Sequence, residues 1–324
     1  MQASLYERDG TPRAVAVVGP TASGKTELAI RLAERYGGEI VGCDSMQIYR
    51  EMDIGTAKPT PAERARAPHT MIDFLPPEHA YSAADYAEDA MLAIGDILAR
   101  GRIPILCGGT GLYLEAVRSG RHEGLPPVPD ALRERLMTEA ETLGAAEMHR
   151  RLAALDPKTA EAVHPNNLRR TLRALEIYYA TGRPKSEWDE ESRRHPPALS
   201  VLVLALFPTD RAALRERIDR RVDRMVEEGL RAEVERLYGR GLLAEGTTAG
   251  AAIGYKEYAA ALRGEISEGE AIEAIKVATH RYARRQLTWF RAIPDAVHLP
   301  CDGGGVTPEG YRIAEEQIAR HFAL

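Results

Sequence analysis

The chain has 324 residues, of which 44% are hydrophobic and 28% charged, a balance that predicts a soluble globular protein of two domains, or of one large domain carrying an insertion. No run of about 18 apolar residues occurs and the first residues lack a basic-then-apolar leader, which argues against a membrane partner and predicts a cytoplasmic location. The formal net charge of −5 weighs only mildly against a nucleic-acid partner, because the footprint of nucleic-acid binding is local.

The first element is a β-branched run over residues 14–18, followed by Gly19-Pro20-Thr21-Ala22-Ser23-Gly24-Lys25-Thr26. These eight residues match G-x-x-x-x-G-K-[ST] in full, and Leu28, Leu32 and Tyr36 then lie on one helical face. Strand, glycine-rich loop and helix together predict a phosphate cradle. Backbone N–H groups converge at a helix N-terminus, Lys25 supplies a point charge, and the Thr26 hydroxyl is placed for Mg²⁺. A compound carrying a di- or triphosphate should bind here. The loop does not specify which compound, or whether phosphate is transferred or leaves.

A strand is expected over residues 39–43, ending in Asp44-Ser45-Met46-Gln47-Ile48-Tyr49, and a polar loop follows, Asp53-Ile54-Gly55-Thr56-Ala57-Lys58-Pro59. Residues 69–73 read as a third strand. Ser82 with Asp85 three residues on predicts a capped helix to about residue 100. Residues 103–107 form a fourth strand, ending in Gly108-Gly109-Thr110-Gly111, with a new helix from Leu112. This order predicts an α/β fold, a P-loop parallel sheet flanked by helices. Ligands in such sheets bind beyond the carboxyl ends of the strands, so the P-loop, residues 44–49 and residues 108–110 should converge on one edge. Alone, Asp44-Ser45 would read as a helix cap or turn; beside a P-loop it reads as chemistry. Cys43, Cys107 and Cys301 are far apart and odd in number, which predicts buried thiols rather than disulfides or a zinc cluster.

From Leu125-Pro126-Pro127-Val128-Pro129 the chain becomes charged and helical, and includes His164-Pro165-Asn166-Asn167-Leu168-Arg169-Arg170-Thr171-Leu172-Arg173. Residues 125–197 are expected to form a helical insertion domain, leaving residues 1–124 and 198–324 as the P-loop core with C-terminal helices. Residues 199–207 return the chain to the sheet. Asp210 opens a helix with Arg215, Arg217, Arg220, Arg221 and Arg224, most of them expected in solvated ion pairs. Residues 280–291 contain four arginines, no acid, and Tyr282, Trp289 and Phe290. That composition suits a phosphodiester backbone with splayed bases. It equally suits an amphipathic helix with Leu287, Trp289 and Phe290 in the core, and the segment alone leaves both open. Thr307-Pro308-Glu309 opens a capped C-terminal helix.

Taken together, these residues resemble the bacterial tRNA dimethylallyltransferases, also called tRNA isopentenyltransferases, over nearly the whole chain. The resemblance rests on residues 19–26 (GPTASGKT), 44–49 (DSMQIY), 53–59 (DIGTAKP), 81–85 (YSAAD), 108–110, 164–166 and 285–289 (RQLTW). It implies transfer of a dimethylallyl group from dimethylallyl diphosphate to N6 of the adenosine beside the anticodon in the tRNA anticodon stem-loop. The P-loop residues Gly19 to Thr26, Mg²⁺ on Thr26, Arg221 and, one turn earlier, Arg217 would hold the leaving diphosphate. Asp44 is implied as the general base, with Thr110 and Lys25 as further catalytic residues. The implied tRNA contacts are Asp44, Ser45, Met46, Gln47, Thr110, Arg133, then Arg169, Arg170, Thr171, Leu172 and Arg173. They continue with Ala251, Ala252, Ile253, Gly254, Tyr255 and Lys256, and with Arg284, Arg285, Gln286, Leu287, Thr288, Trp289, Phe290 and Arg291. Ala251 stands where some relatives carry a basic residue. A monomer is expected.

Two other enzymes share such a cradle. A P-loop kinase would need a nucleotide-base pocket and an acceptor site, and no stretch of the sequence suggests either. An isopentenyltransferase acting on free AMP or ADP would have no use for the 125–197 insertion or the basic 280–291 segment. A non-enzymatic RNA-binding NTPase module would leave Asp44 without a role.

Overall fold

The computed structural model describes residues 3–119, 128–194, 197–244, 246–303 and 305–324; Leu125, Pro126 and Pro127 of the proline-rich stretch, and Pro196, lie outside them. Ala14, Val15, Ala16 and Val17 have no exposed surface, as a β-branched run between two covering layers requires, and they form most of β1 (Arg13–Val18). In α1 (Lys25–Tyr36), Leu28, Ala29, Leu32 and Ala33 make one buried stripe, the signature of a helix laid on a sheet. The chain continues through β2 (Gly38–Gly42), α2 (Pro61–Arg66), β3 (His69–Thr70), α3 (Ala83–Ala99), β4 (Ile103–Gly108) and α4 (Gly111–Ser119). Next come α5 (Asp130–Leu155), α6 (Pro157–Ala162), α7 (Leu168–Thr181) and α8 (Lys185–Arg194). The chain returns through β5 (Ser200–Pro208), α9 (Arg211–Glu227), α10 (Leu230–Gly239), α11 (Tyr255–Leu262), α12 (Glu268–Arg291), β6 (Val297–Asp302), β7 (Gly305–Val306) and α13 (Pro308–Phe322).

Two compact units result: one from Met1–Arg118 with Ala198–Leu324, the other from Ser119–Pro197. The first carries a seven-stranded sheet of order β3-β2-β4-β1-β5-β6-β7, parallel throughout except for β6 with β7. One face packs against α3 and α4, with Phe290 of α12 reaching into that layer. α1 and α13 cover the other face. This is the expected α/β architecture. A third cluster joins Ile48, Tyr49 and Met52 to α9, α10, α11 and α12.

The third strand is shorter than expected, because it pairs only at His69 and Thr70. Met71 and Asp73 take left-handed backbone angles (φ 59° and 63°), which turn the chain out of the sheet. The capped helix after Ser82 is present, with the Ser82 hydroxyl accepting from Asp85 N–H in a reciprocal capping box. In the second unit Leu136, Met148, Leu152 and Leu175 form a separate core, and α5 is broken at Gly144, a left-handed residue (φ 79°). Among the described residues no helix is long and apolar enough to cross a membrane.

Candidate active site

The P-loop leaves β1 and enters α1 through Gly24, whose φ of 94° an L side chain rarely adopts. No side chain caps α1, so its first amides are free to point at an anion. Ser23 is buried and its hydroxyl has no protein partner. Lys25 folds back to donate to the Pro20 carbonyl at 3.2 Å. The buried Gln286 of α12 closes the loop against β4. Its Oε1 accepts from Thr21 N–H at 2.9 Å and its Nε2 donates to the Gly109 carbonyl at 2.9 Å. Gly109 tolerates this approach only as glycine, since a Cβ there would stand 2.1 Å from Gln286 Nε2.

Asp44 follows β2 directly. Its Oδ1 accepts from Met46 N–H at 3.0 Å, so the bland reading as a turn-former is also true of this residue. Its Oδ2 lies 3.8 Å from the position a Gly109 Cβ would occupy. Thr110 ties the neighbouring turn down: its Oγ1 accepts from Ser45 N–H at 3.0 Å, and the hydroxyl donates to Ser45 Oγ at 3.3 Å. Lys25, Thr26, Asp44, Ser45, Gly108, Arg221, Tyr282, Arg285 and Gln286 line a single cavity of about 310 Å³. The three strand ends therefore do converge on one edge.

Desolvation governs the charges. Burial pulls the Lys25 ammonium below its ordinary range; Arg221 strengthens that shift, while Cys107 and Asp44 oppose it. Burial likewise lowers Arg221, opposed by Asp44 and reinforced by Arg217. Two cations and one carboxylate on a single cavity leave a net positive charge that favours an incoming anion. Cys43 and Cys107, both free, are pushed up to about 12 by burial, which leaves them inert thiols.

The helix α9 divides its arginines. Arg221 lines the cavity, whereas Arg217 reaches the Asp302 carbonyl at 3.4 Å and is not part of the lining. Arg220 pairs with Glu216 in the expected surface fashion. In α12 the amphipathic reading of residues 280–291 holds for Phe290 and fails for Trp289. Arg284, Arg285, Thr288, Trp289 and Arg291 are exposed, Leu287 is half-buried, and Gln286 and Phe290 are buried. Gln286 thus sits inside the protein, where it lines the cavity.

A similar sorting applies elsewhere. Ala251 and Lys256 are exposed and Ile253 is half-buried, but Ala252, Gly254 and Tyr255 are buried, with Ala252 and Tyr255 in the cluster around Ile48. In the second unit Arg133, Arg169, Arg170 and Arg173 are exposed. Thr171 is buried and Leu172 packs against the core of that unit. Arg133 and Arg173 share Glu176, at 4.0 and 3.0 Å. Among Ser45, Met46 and Gln47, Gln47 is occupied internally, its Nε2 donating to the Thr56 and Ala57 carbonyls at 3.1 and 2.9 Å.

Two residues that bear on the site were not assigned to it from the sequence. Tyr282 lines the cavity, and burial followed by the Asp44 charge raises its hydroxyl above the usual phenol range. Its spacing, one turn before Arg285 and Gln286, was the available signal. Glu233 of α10 is buried against the residue 53–55 amides, and nothing in its charged helical surroundings marked it.

A P-loop, a carboxylate and a basic aromatic helix around one cavity define a P-loop α/β protein with an anion-favouring site. The IPP transferase family model matches residues 47–293, and the isopentenyl transferase model matches residues 12–79. A tRNA dimethylallyltransferase of Roseiflexus sp. (strain RS-1) is 47% identical over 305 residues, covering 94% of this chain and 98% of its own. One from Shouchella clausii is 48% identical over 283 residues, covering 87% and 89%. The crystal structure of the full-length tRNA isopentenylpyrophosphate transferase from Bacillus halodurans superposes with a TM-score of 0.71 at 40% identity, covering 96% of this chain and 97% of its own. A eukaryotic dimethylallyltransferase acting on tRNA gives a TM-score of 0.74 at 30% identity, covering 89% and 73%. The chain belongs to the tRNA dimethylallyltransferase family.

Proposed function

We propose that this protein is a cytoplasmic tRNA prenyltransferase, moving the dimethylallyl group of dimethylallyl diphosphate to N6 of the adenosine beside the anticodon and releasing diphosphate. The observation that carries this reading is the shared cavity: Asp44 opens onto the same space as Lys25, Thr26 and Arg221. Transfer to an amine needs a proton acceptor beside the phosphate cradle, and Asp44 supplies one; the family matches favour prenyl transfer over phosphoryl transfer.

The adenine amine is a weak nucleophile, because its lone pair is delocalised into the ring. As N6 bonds to the allylic carbon it gains positive charge and must lose a proton. Asp44, held at Oδ1 by Met46 N–H, keeps Oδ2 to accept that hydrogen bond and then the proton, a contribution of about 10²–10⁴-fold. On the other side the leaving diphosphate gains charge as its carbon–oxygen bond breaks. The free α1 amides, Lys25 and Arg221 stabilise it, and their loss of solvent in the protein makes an anion welcome before the reaction starts.

Mg²⁺ fits this donor set. Thr26 lines the cavity beside Lys25, and a hard cation would rest on its hydroxyl and the oxygens of the substrate. When bound it would neutralise charge on the leaving diphosphate. Arg284, Arg285, Trp289 and Lys256, all exposed, are assigned to the RNA near the cavity, and Arg133, Arg169, Arg170 and Arg173 to phosphates elsewhere on the tRNA. Extruding a base from an anticodon loop costs only a few kcal/mol. Incubation with labelled dimethylallyl diphosphate and, in turn, tRNA, AMP or ATP tests the reading. Label should enter tRNA alone, and label in a free nucleotide would overturn it.

A further inference from the structure

One wall of the cavity is a loop rather than a sheet edge: Gly55, Thr56 and Ala57 all contribute to the lining. Beneath it lies Glu233 of α10, only 4% exposed. Its Oε2 accepts from Asp53 N–H at 3.0 Å and Ile54 N–H at 2.9 Å. Its Oε1 accepts from Gly55 N–H at 3.1 Å and the Tyr255 hydroxyl at 2.6 Å. Consecutive amides converging on one anion form a backbone nest, and the donors together satisfy a carboxylate whose burial would otherwise be very costly. The contact is close enough to demand glycine, since a Cβ on Gly55 would stand 2.5 Å from the Tyr255 ring.

The loop passes this constraint on. Its Thr56 and Ala57 carbonyls accept both donors of the Gln47 amide. Gln47 belongs to the same turn as Asp44, in which Met46 N–H reaches Asp44 Oδ1 and Ser45 N–H reaches Thr110 Oγ1. Hydrogen bonds and backbone therefore run without a gap from Glu233 through residues 53–57 and Gln47 to the Asp44 carboxylate. Lys58 holds the other flank of the loop, donating to Asp53 Oδ1 at 2.6 Å and Asp73 Oδ1 at 2.7 Å.

We propose that Glu233, with Tyr255, is a positioning residue for the transfer: it fixes the 53–57 loop that holds Gln47, and so aims Asp44 at the acceptor amine. The proposal rests on the prenyl-transfer reading given above. Glu233 does not line the cavity, so it acts only through the residues it holds.

A carboxylate that merely stabilises the fold makes different predictions from one that aims Asp44. Glu233→Gln keeps the shape but turns an NH₂ toward backbone donors. With positioning, kcat on tRNA falls by about 10–100-fold, the size of one charged hydrogen bond lost from the aligned state, while tRNA affinity stays within about threefold. Gln47→Met cuts the same path further along. The double variant should then turn over within about threefold of the slower single variant, because two cuts in one path do not add. Losses in kcat that multiply would overturn the proposal. Tyr255→Phe, which removes one donor and keeps the ring packing, gives a milder version should the first variant fold poorly.

Hydrogen exchange needs no substrate and separates this proposal from the reading it rests on. In Glu233→Gln or Tyr255→Phe, the amides of residues 44–47 should lose protection together with those of residues 53–55. Loosening confined to residues 53–55 overturns the positioning role alone. Failure of the unaltered protein to modify tRNA overturns the prenyl-transfer reading alone.

Discussion

Gln286→Leu removes one buried side chain and leaves two loops unheld. Thr21 N–H and the Gly109 carbonyl each lose a partner at 2.9 Å, at a position only 4% exposed. A buried polar group left unpaired costs about 1–3 kcal/mol, so the pair predicts a loss of about 2–6 kcal/mol from a stability of order 5–15 kcal/mol. Because the Thr21 amide belongs to the phosphate cradle, affinity for dimethylallyl diphosphate should fall as well. Gln286→Glu adds a test of sign. Its ionised form still accepts from Thr21 N–H but sets a second oxygen against the Gly109 carbonyl, whereas its acid form can donate there. The folded-state pKa of the new carboxyl is therefore raised above its ordinary value of about 4.3. The stability it supplies is complete below that unfolded value and is lost as pH rises through the folded one. Urea unfolding across pH should show Gln286→Glu approaching the parent in acid and falling behind toward pH 8. A Leu variant within about 0.5 kcal/mol of the parent, or a Glu variant whose deficit ignores pH, would refute the clamp.

Further consequences follow for each part of the site. Lys25→Ala and Thr26→Ala should weaken dimethylallyl diphosphate binding and the response to Mg²⁺ while leaving tRNA affinity nearly intact; the opposite pattern would mean that the cradle serves the RNA. Affinity for tRNA should fall with salt, with a slope of log K on log[salt] of about −0.7 per neutralised phosphate for single-stranded contacts. Arg285→Ala and Arg170→Ala should each flatten that slope by roughly one contact, and an unchanged slope would remove that residue from the interface. Burial pushes the imidazoles of His69 and His321 below 6.5. Their contribution to stability is present above that value and is lost as pH falls through it toward the folded pKa values. His321→Gln should therefore unfold with a shallower acid dependence between pH 7 and 5, and a slope equal to the parent's would contradict this.

The cradle and the strand-end turns were legible in the sequence because they obey local rules. A P-loop carries its own geometry, and the position of Asp44 after a buried strand follows from how parallel sheets bind ligands. The end of β3 was not legible, since nothing in the composition of residues 69–73 announces left-handed angles at Met71 and Asp73. Gln286 was read as an RNA contact because the family resemblance implies the whole segment from Arg284 to Arg291. Only the packing of α12 against Thr21 and Gly109 shows that it points inward. The same holds for Tyr255 and Thr171, each beside an exposed cation and each buried. Segment composition identifies a face-forming stretch, whereas helical phase against a particular neighbour decides which residues form the face. Glu233 is the extreme case, because its partners are about 180 residues away along the chain.

The central claim is that Asp44 takes the proton from the amine, and one comparison tests it directly. Asp44→Asn keeps an oxygen to accept from Met46 N–H, so the turn survives while the base is lost. Single-turnover transfer from labelled dimethylallyl diphosphate to saturating tRNA should slow by about 10²–10⁴-fold, with tRNA and donor affinities changed by only a few-fold. A transfer rate within a few-fold of the parent, or a loss explained entirely by weaker tRNA binding, would contradict the assignment of Asp44 as the base.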